Sequence, residues 1–437
     1  MKKWLCCWIL ALGWLRAQPV LTLEDAVALA VRNNRQIAIG RLDLERAAAA
    51  TTEAKTNRYP LFHTYLLGGV PLNRFGFTIP RGVLGSYPAT GPLPGRDATI
   101  TNPRHFTGLF FGSATQPVSQ LYKIGLLIRQ SRLGGDLARE NLRERRQEIA
   151  HEVRRAYYEV AQIQAETASA EAALQYLTEL DELTDRRLAE ETVLKSDSLA
   201  VKARLSQQRY QLLALRNSLA TRQESLNRLL GRDLETKFTV EVAPPPAAEE
   251  LDLEAARRKA LEQRPELRKA KLANAKAELD VKVERAGRIP NFSIQASYLA
   301  LPNVSMVPQN VLHAGFVLDW EPFDWGRRSR RVEQLEAAAK QSRLTTEDAR
   351  EQIRLDTGAR FRKLAEARAL LESSTAAQEL EREKLRVLMN RYREQSALVA
   401  DVLQQQAASA QADARYREAV AGFWTAKADF DRALGEE

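Results

Sequence analysis

Residues 21–62 align without a gap on residues 251–292, at an offset of 230, with identities at Leu21/Leu251, Leu23/Leu253, Glu24/Glu254, Ala26/Ala256, Ala30/Ala260, Leu42/Leu272, Ala47/Ala277, Arg58/Arg288, Pro60/Pro290 and Phe62/Phe292. A second set, at an offset of 204, joins Arg187/Arg391, Glu190/Glu394, Leu194/Leu398, Asp197/Asp401, Leu199/Leu403, Arg228/Arg432, Leu230/Leu434 and Gly231/Gly435. The chain is two copies of one unit, so whatever fold it adopts is internally duplicated. A period near 200 residues exceeds the roughly 20–50 residues of solenoid units. The offset changes because Pro60 to Pro117 spans 57 residues and Pro290 to Pro322 spans 32, leaving copy one with 57 − 32 = 25 extra residues. The excess falls in residues 71–103, whose six prolines and five glycines predict an irregular loop.

Each copy reads in the same order. Thr22, followed by Asp25 and the apolar Ala26, Leu29 and Ala30, predicts a capped helix start, and Asp252 plays that part in copy two. The helix is expected to continue to the residue before Pro60 or Pro290, since proline disfavours helical backbone in its predecessor. After Pro290 the period becomes two: Phe292, Ile294, Ala296 and Tyr298 alternate with Ser293, Gln295 and Ser297, and Leu312, Ala314, Phe316, Leu318 and Trp320 alternate with His313, Gly315, Val317 and Asp319. These predict strands at 291–300 and 311–320 around a loop at 301–310. In copy one, strands are expected at 61–70 and 105–116 around the loop at 71–103, but Phe106, Leu109, Phe110 and Phe111 blur the faces of the second.

After Pro117 and Pro322 come long helical stretches to about Arg187 and Arg391, then return helices to Leu230 and Leu434. Ile149, Val153, Ala156, Val160, Ile163, Thr167, Ala170, Leu174 and Leu177 step by four and three, while Leu205, Leu212, Leu219 and Leu226 repeat at seven. About 70 residues of continuous helix would measure about 105 Å. The predicted organisation is therefore a leader (1–17), a first repeat (18–231), a linker (232–250) with a short strand at Phe238–Val242, and a second repeat (251–437).

Composition narrows the function. Of the net charge of +9, Lys2, Lys3 and Arg16 supply three, leaving 9 − 3 = +6 interleaved with acids, as in Arg139–Arg146. That reads as solvated helix face, and no nucleic-acid partner is expected. The opening MKKWLCCWILALGWLRAQ has two lysines, an apolar run and Ala17, the pattern of a secretory signal peptide. Cys6 and Cys7 would leave with it, so cysteine chemistry is excluded from the mature chain. His63, His105, His151 and His313 show no metal-ligand spacing and read as wall or interfacial histidines, three of them on expected strands. There is no phosphate loop and no carboxylate beside a His or Ser in a catalytic pattern, so neither an enzyme nor a cofactor is expected. Beyond the leader no apolar run is long enough for a spanning helix, so any membrane element would be a strand.

The signal peptide, the duplicated helix–strand–loop–strand–long helix–return helix and the heptads together resemble the TolC family of outer-membrane efflux and secretion channels. The pieces that carry the resemblance are LTLEDAVALAVRNN at Leu21, WEPFDWGRR at Trp320 beside QPV at Gln116, and Arg391-Tyr392-Arg393 followed by Ala400-Asp401-Val402-Leu403. It implies a mainly α fold with a β-barrel part. In such a homotrimer, four strands per chain complete a twelve-stranded outer-membrane barrel, and long coiled-coil helices form a periplasmic tunnel. It implies a passive conduit for small molecules or polypeptides in a tripartite efflux pump or type I secretion system, with a membrane-fusion adaptor, an inner-membrane pump and outer-membrane lipid as partners. The adaptor-contact tips it implies are Glu191, Thr192, Leu194 and Asp197 in one turn, and Gln395, Ser396, Leu398 and Asp401 in the other. Many relatives carry a Val-Gly-Leu or Val-Gly-Thr turn where this chain has Glu190-Glu191-Thr192 and Glu394-Gln395-Ser396. Trp320, Phe323, Trp325, Arg327 and Arg328 are read as interface anchors, rings at the membrane boundary and guanidiniums at the phosphates, against the plainer reading of a solvated helix start. The alternative function is a periplasmic coiled-coil scaffold without a pore, which would have no use for period-two hairpins at equivalent places in both copies.

Overall fold

The computed structural model describes residues 20–73, 76–101, 105–241, 252–303, 308–394 and 396–436. Copy one runs β1 (Val20–Leu21), α1 (Leu23–Asn33), α2 (Arg35–Thr56), β2 (Leu61–Gly69), four short strands β3 (Gly76–Ile79), β4 (Ser86–Tyr87), β5 (Gly91–Pro92) and β6 (Ala98–Thr101), then β7 (Thr107–Pro117), α3 (Leu121–Ala189), α4 (Lys195–Leu230) and β8 (Thr239–Val240). Copy two runs α5 (Leu253–Gln263), α6 (Pro265–Ala286), β9 (Asn291–Ala300), β10 (Asn310–Asp319), α7 (Arg327–Arg393) and α8 (Val399–Leu434). The duplication is exposed in the helix lengths: α1 and α5 have 11 residues each, α2 and α6 22, α4 and α8 36, and α3 and α7 69 and 67.

Local chemistry explains the helix starts and stops. Thr22 Oγ1 accepts from Asp25 N at 3.1 Å, and Asp252 accepts from Glu254 N at 2.9 Å and Ala255 N at 3.2 Å, satisfying amide groups that the first turn leaves without partners. One expectation fails here: the first helix of each copy is not continuous. It breaks at Asn34 (ψ 130) and at Arg264 (ψ 128). In copy two Pro265 follows the break and excludes helical backbone at Arg264. In copy one no proline is needed, because Asn34 Oδ1 caps the next helix through Gln36 N at 2.8 Å while Asn34 Nδ2 donates to Leu229 O at 2.8 Å. Both return helices end on left-handed glycines, Gly231 (φ 69) and Gly435 (φ 85). A Cβ on Gly231 would lie 2.5 Å from Asn33 O, and one on Gly435 2.9 Å from Gln263 C, the ends of α1 and α5.

The chain forms two compact units. The first comprises the described residues within 20–45, 137–272 and 343–437. Its main core gathers Ala26, Ala30 and Ile37 with Val153, Tyr157 and Val160 of α3, Leu226 and Leu230 of α4, and Phe238. The heptads are buried as a seam should be: Ile149, Val153, Val160, Ala170 and Leu177 on α3 and Leu205, Leu212 and Leu226 on α4. The linker strand is shorter than expected. It pairs parallel with β1, Val20 to Thr239 and Leu21 to Val240. Gln164 Nε2 donates to Val240 O (3.0 Å), its Oε1 accepts from Val240 N (3.1 Å), and Tyr157 Oη donates to Leu21 O (2.9 Å), so α3 holds this layer in place.

The second unit comprises Arg46–Asp136 and Ala273–Ser342. Its four-stranded antiparallel sheet has the order β10-β9-β7-β2. The register settles the face ambiguity of β7, because Phe110 lies opposite Leu66 and Phe111 opposite Tyr65, so the two rings take opposite faces. Ser119 Oγ donates to Pro290 O at 2.6 Å and accepts from Phe292 N at 2.8 Å, tying the entry of β9 to the exit of β7. The strand ends differ by a few residues from the expected ones, and His105 lies before β7 rather than in it. The described part of the proline-rich insertion is not irregular throughout: β3 pairs with β6 and β4 with β5 as antiparallel ladders between turns, with Pro92 at the end of β5 and the other described prolines outside the strands.

Candidate functional site

The sheet carries the first part of the site. On one face Phe292, Ile294, Ala296 and Tyr298 of β9 stand opposite Leu318, Phe316, Ala314 and Leu312 of β10. The same face continues through Gly112 and Ala114 of β7 to Thr64 and Phe62 of β2. It is open: Phe62 is 74%, Phe316 71% and Leu312 78% exposed. A contiguous apolar face of this kind requires lipid or protein cover. The other face mixes Ser113, Thr115, Ser293, Gln295, Ser297, His63 and His313 with Tyr65, Phe111 and Leu299, and on β9 it is the less exposed of the two. Both edge strands, β2 and β10, keep one side unpaired within the chain. No helix of the described residues is long and apolar enough to cross a membrane.

The segment after β10 holds the expected anchors. Trp320, Phe323 and Trp325 are exposed, Trp325 at 89%, and the rings of Phe323 and Trp325 meet edge to face at 4.7 Å. Both arginines are paired with acids, Arg327 while largely exposed and Arg328 while partly buried. Arg327 donates to Glu321 Oε2 at 2.6 Å, and Arg328 reaches the same oxygen at 3.1 Å and Asp324 Oδ2 at 3.7 Å. Asp324 in turn accepts from Gly326 N at 3.0 Å and Arg328 N at 3.1 Å, which fixes the start of α7.

The helix-hairpin turns form the second part, in the first unit. Leu194 and Leu398 are each 70% exposed at the N-caps of α4 and α8. Glu191 adopts φ 55, Thr192 Oγ1 donates to Arg187 O at 3.0 Å, and Asp197 accepts from Leu194 N at 3.4 Å. In the matching turn Ser396 Oγ donates to Arg391 O at 2.9 Å, Asp401 is exposed, and Gln395 lies outside the described residues. The two turns thus repeat one design, a hydroxyl closing the long helix and a bare leucine opening the return helix.

Just above the turns the two hairpins touch, a feature that tip residues alone do not reveal. Arg187 lies over the Tyr392 ring at 4.5 Å and donates to its backbone O at 3.4 Å, within a cluster that buries Leu177, Leu180, Val201, Tyr392, Val399 and Val402. The sequence signal was the Arg187/Arg391 match beside Tyr392. Across the first hairpin, Asp185 accepts from Lys202 at 3.0 Å and Ser198 at 2.9 Å. The bonds from Lys202 and Ser198 hold the Asp185 carboxyl below the usual carboxylate range, and Asp185 raises Lys202 in return. Higher on α3, His151 is a buried helix residue 2.5 Å from Asp429, whose other oxygen takes Arg360 at 2.6 Å. Burial pushes Asp429 up, but the bond and charge of His151, then Arg360 and Arg155, outweigh it and hold the carboxyl low. No group of three His, Cys, Asp or Glu among the described residues is placed to hold a metal ion.

Duplicated helical hairpins in one unit and a small open sheet with an apolar exposed face in the other are the features expected of an outer-membrane exporter. The family model described as outer membrane efflux protein matches residues 96–232 and 256–436, and the chain belongs to that family. Its place is the outer membrane, reaching into the periplasm, and its activity is transport rather than catalysis. A search of curated proteins finds no sequence relative of the chain. Among solved structures it is similar to a membrane protein from Pseudomonas aeruginosa, with 17% identity, a TM-score of 0.77, and coverage of 95% of this chain and 90% of that one. The CmeC outer membrane channel of Campylobacter jejuni shares 13% identity at a TM-score of 0.77, covering 94% of this chain and 85% of that one. The open state of the MtrE outer membrane channel of Neisseria gonorrhoeae shares 14% at 0.71, covering 95% and 89%.

Proposed function

We propose that three copies of this chain close a twelve-stranded barrel and act as the passive outer-membrane conduit of a tripartite efflux pump or type I secretion system. One observation carries the reading: a four-stranded sheet with an apolar outer face and two unpaired edges. In hydrocarbon each unpaired amide or carbonyl costs several kcal/mol, so the edges must close on other copies. Three copies give twelve strands, and the less exposed, mixed face becomes the lumen. In this reading residues 1–17 are the signal peptide, and the insertion between β2 and β7 is extracellular. The turns bearing Glu191, Thr192, Leu194 and Asp197, and Gln395, Ser396, Leu398 and Asp401, meet the periplasmic adaptor. Trp320, Phe323 and Trp325 seat at the membrane boundary, with Arg327 and Arg328 at its polar side, their charges shared with Glu321 and Asp324. Inner-membrane machinery supplies the energy.

The test is purification from outer-membrane vesicles followed by electrophoresis without boiling and by planar-bilayer recording. The expected result is a heat-sensitive band of three times the chain mass and unit conductance steps. A protein released by osmotic shock, monomeric or coiled but silent in bilayers, would establish the periplasmic scaffold instead.

A further inference from the structure

Where α3 faces α8, a stretch of small side chains leaves a gap. Tyr158, Ala161 and Ala165 follow one another at steps of three and four on α3, and Arg417, Ala421 and Trp424 do so on α8. Coiled-coil seams fill such positions with branched side chains. Here alanines stand in their place, and a cavity of about 150 Å³ remains, half open to solvent. One wall is an aromatic shelf, Tyr158 stacked on Trp424 with centroids 5.7 Å apart and planes at 23°. Phe423 meets Trp424 edge to face at 5.5 Å and Tyr157 meets Tyr158 at 5.9 Å, so both rings of the shelf are fixed from behind. The walls are mostly apolar, with Gln162 and Arg417 as polar groups at the opening, and the space is wide enough for one aromatic ring, the combination of apolar lining and few polar groups typical of small-molecule sites.

The rim supplies a charge. Arg417 Nη2 donates to the Ser169 hydroxyl at 2.7 Å, and among the described residues the guanidinium has no carboxylate partner. Glu166, three residues before Ser169, accepts instead from Gln162 at 2.9 Å. The planar guanidinium has five donors in a fork that matches a carboxylate, and one donor is used here.

We propose that this cavity is a binding site for a small monoaromatic carboxylate, its ring between the Tyr158–Trp424 shelf and the alanines and its carboxylate on Arg417. The proposal needs only α3 and α8 of one unit and does not rest on barrel closure or on conduction.

The probe is benzoate, and the reporter is Trp424. In the mature channel carrying Trp320→Phe and Trp325→Phe, purified in detergent, Trp424 is the one remaining indole. Benzoate should change its emission saturably. Benzylamine, with the same ring and the opposite charge, should bind at least about tenfold more weakly, and Arg417→Gln should weaken benzoate by about tenfold or more, the range of a lost charge-assisted hydrogen bond. Ala421→Leu, which fills the void, should abolish the saturable change with the helical melt unaltered. If that variant melts early, Arg417→Gln decides alone, since its side chain is at the rim. A linear, unsaturable response overturns the proposal, as does benzoate binding indifferent to Arg417→Gln or equal affinity for benzylamine. A neighbouring copy covering the cavity in the assembly would give the unsaturable result and counts against it.

Discussion

Ile294→Arg tests the barrel where its physics is least forgiving. Ile294 is the fourth of ten residues in β9, about 1.5 residues from the strand midpoint, and at about 3.3 Å per residue with a tilt near 40° that places it about 4 Å from the midplane of the strand layer. It is 55% exposed, on the face shared with Phe316 across β10 and Gln116 across β7. At that depth an arginine facing hydrocarbon costs about 2–4 kcal/mol per chain, and three independent copies in one barrel about 6–12 kcal/mol. The neighbour Gln295 points the other way, opposite Gly315 and Thr115, onto the face that lines the water-filled lumen in the barrel reading. Gln295→Arg should therefore change assembly by no more than about 0.5 kcal/mol per chain, as surface substitutions generally do. The assay is the ratio of slow-migrating oligomer to monomer in unboiled outer-membrane fractions, followed by single-channel conductance. Ile294→Arg should empty the oligomer band, whereas Gln295→Arg should assemble and shift conductance or drug susceptibility. Equal tolerance of the two would refute the membrane barrel and favour the scaffold.

Leu194→Asp with Leu398→Asp should reduce export in a susceptibility assay while leaving oligomer content unchanged, because both leucines are largely exposed and carry little burial; loss of the oligomer would make them structural. Gly231→Ala should destabilise the chain by at least about 2 kcal/mol, from left-handed strain and the 2.5 Å approach to Asn33 O, read as a lower midpoint in helical circular dichroism; an unchanged midpoint would show that α1 can move away. A protease site inserted at Gly91, the first residue of β5 beside the turn at residues 88–90, should be cut in intact cells. Cutting only after the outer membrane is broken would reverse the orientation.

Much of this architecture could be read along the chain, and the reasons are local. Helix starts at Thr22 and Asp252, αL ends at Gly231 and Gly435, and heptads from Ile149 to Leu177 each depend on residues within a turn or two of one another. Period two told strands from helices after Pro290 because Cβ direction alternates whatever the partner. The duplication then gave each weak signal a second, independent occurrence.

What the sequence could not decide was set by contacts distant in the chain. Asn34 breaks the first helix because Leu229 O, 195 residues away, holds its amide, and nothing adjacent announces that partner. The faces of β7 were ambiguous in a run with three aromatics, and only the register against β2 and β9 shows which face of the sheet Phe110 joins and which Phe111. Prolines and glycines spoke for an irregular insertion, yet paired segments between them still form ladders once β3 finds β6. Local propensity fixed where helices begin and end and how strands alternate, since those terms act over a few residues. Strand order, the Arg187–Tyr392 contact and the cavity between α3 and α8 were decided by tertiary structure, because they arise from packing between segments whose separation in sequence carries no energy of its own.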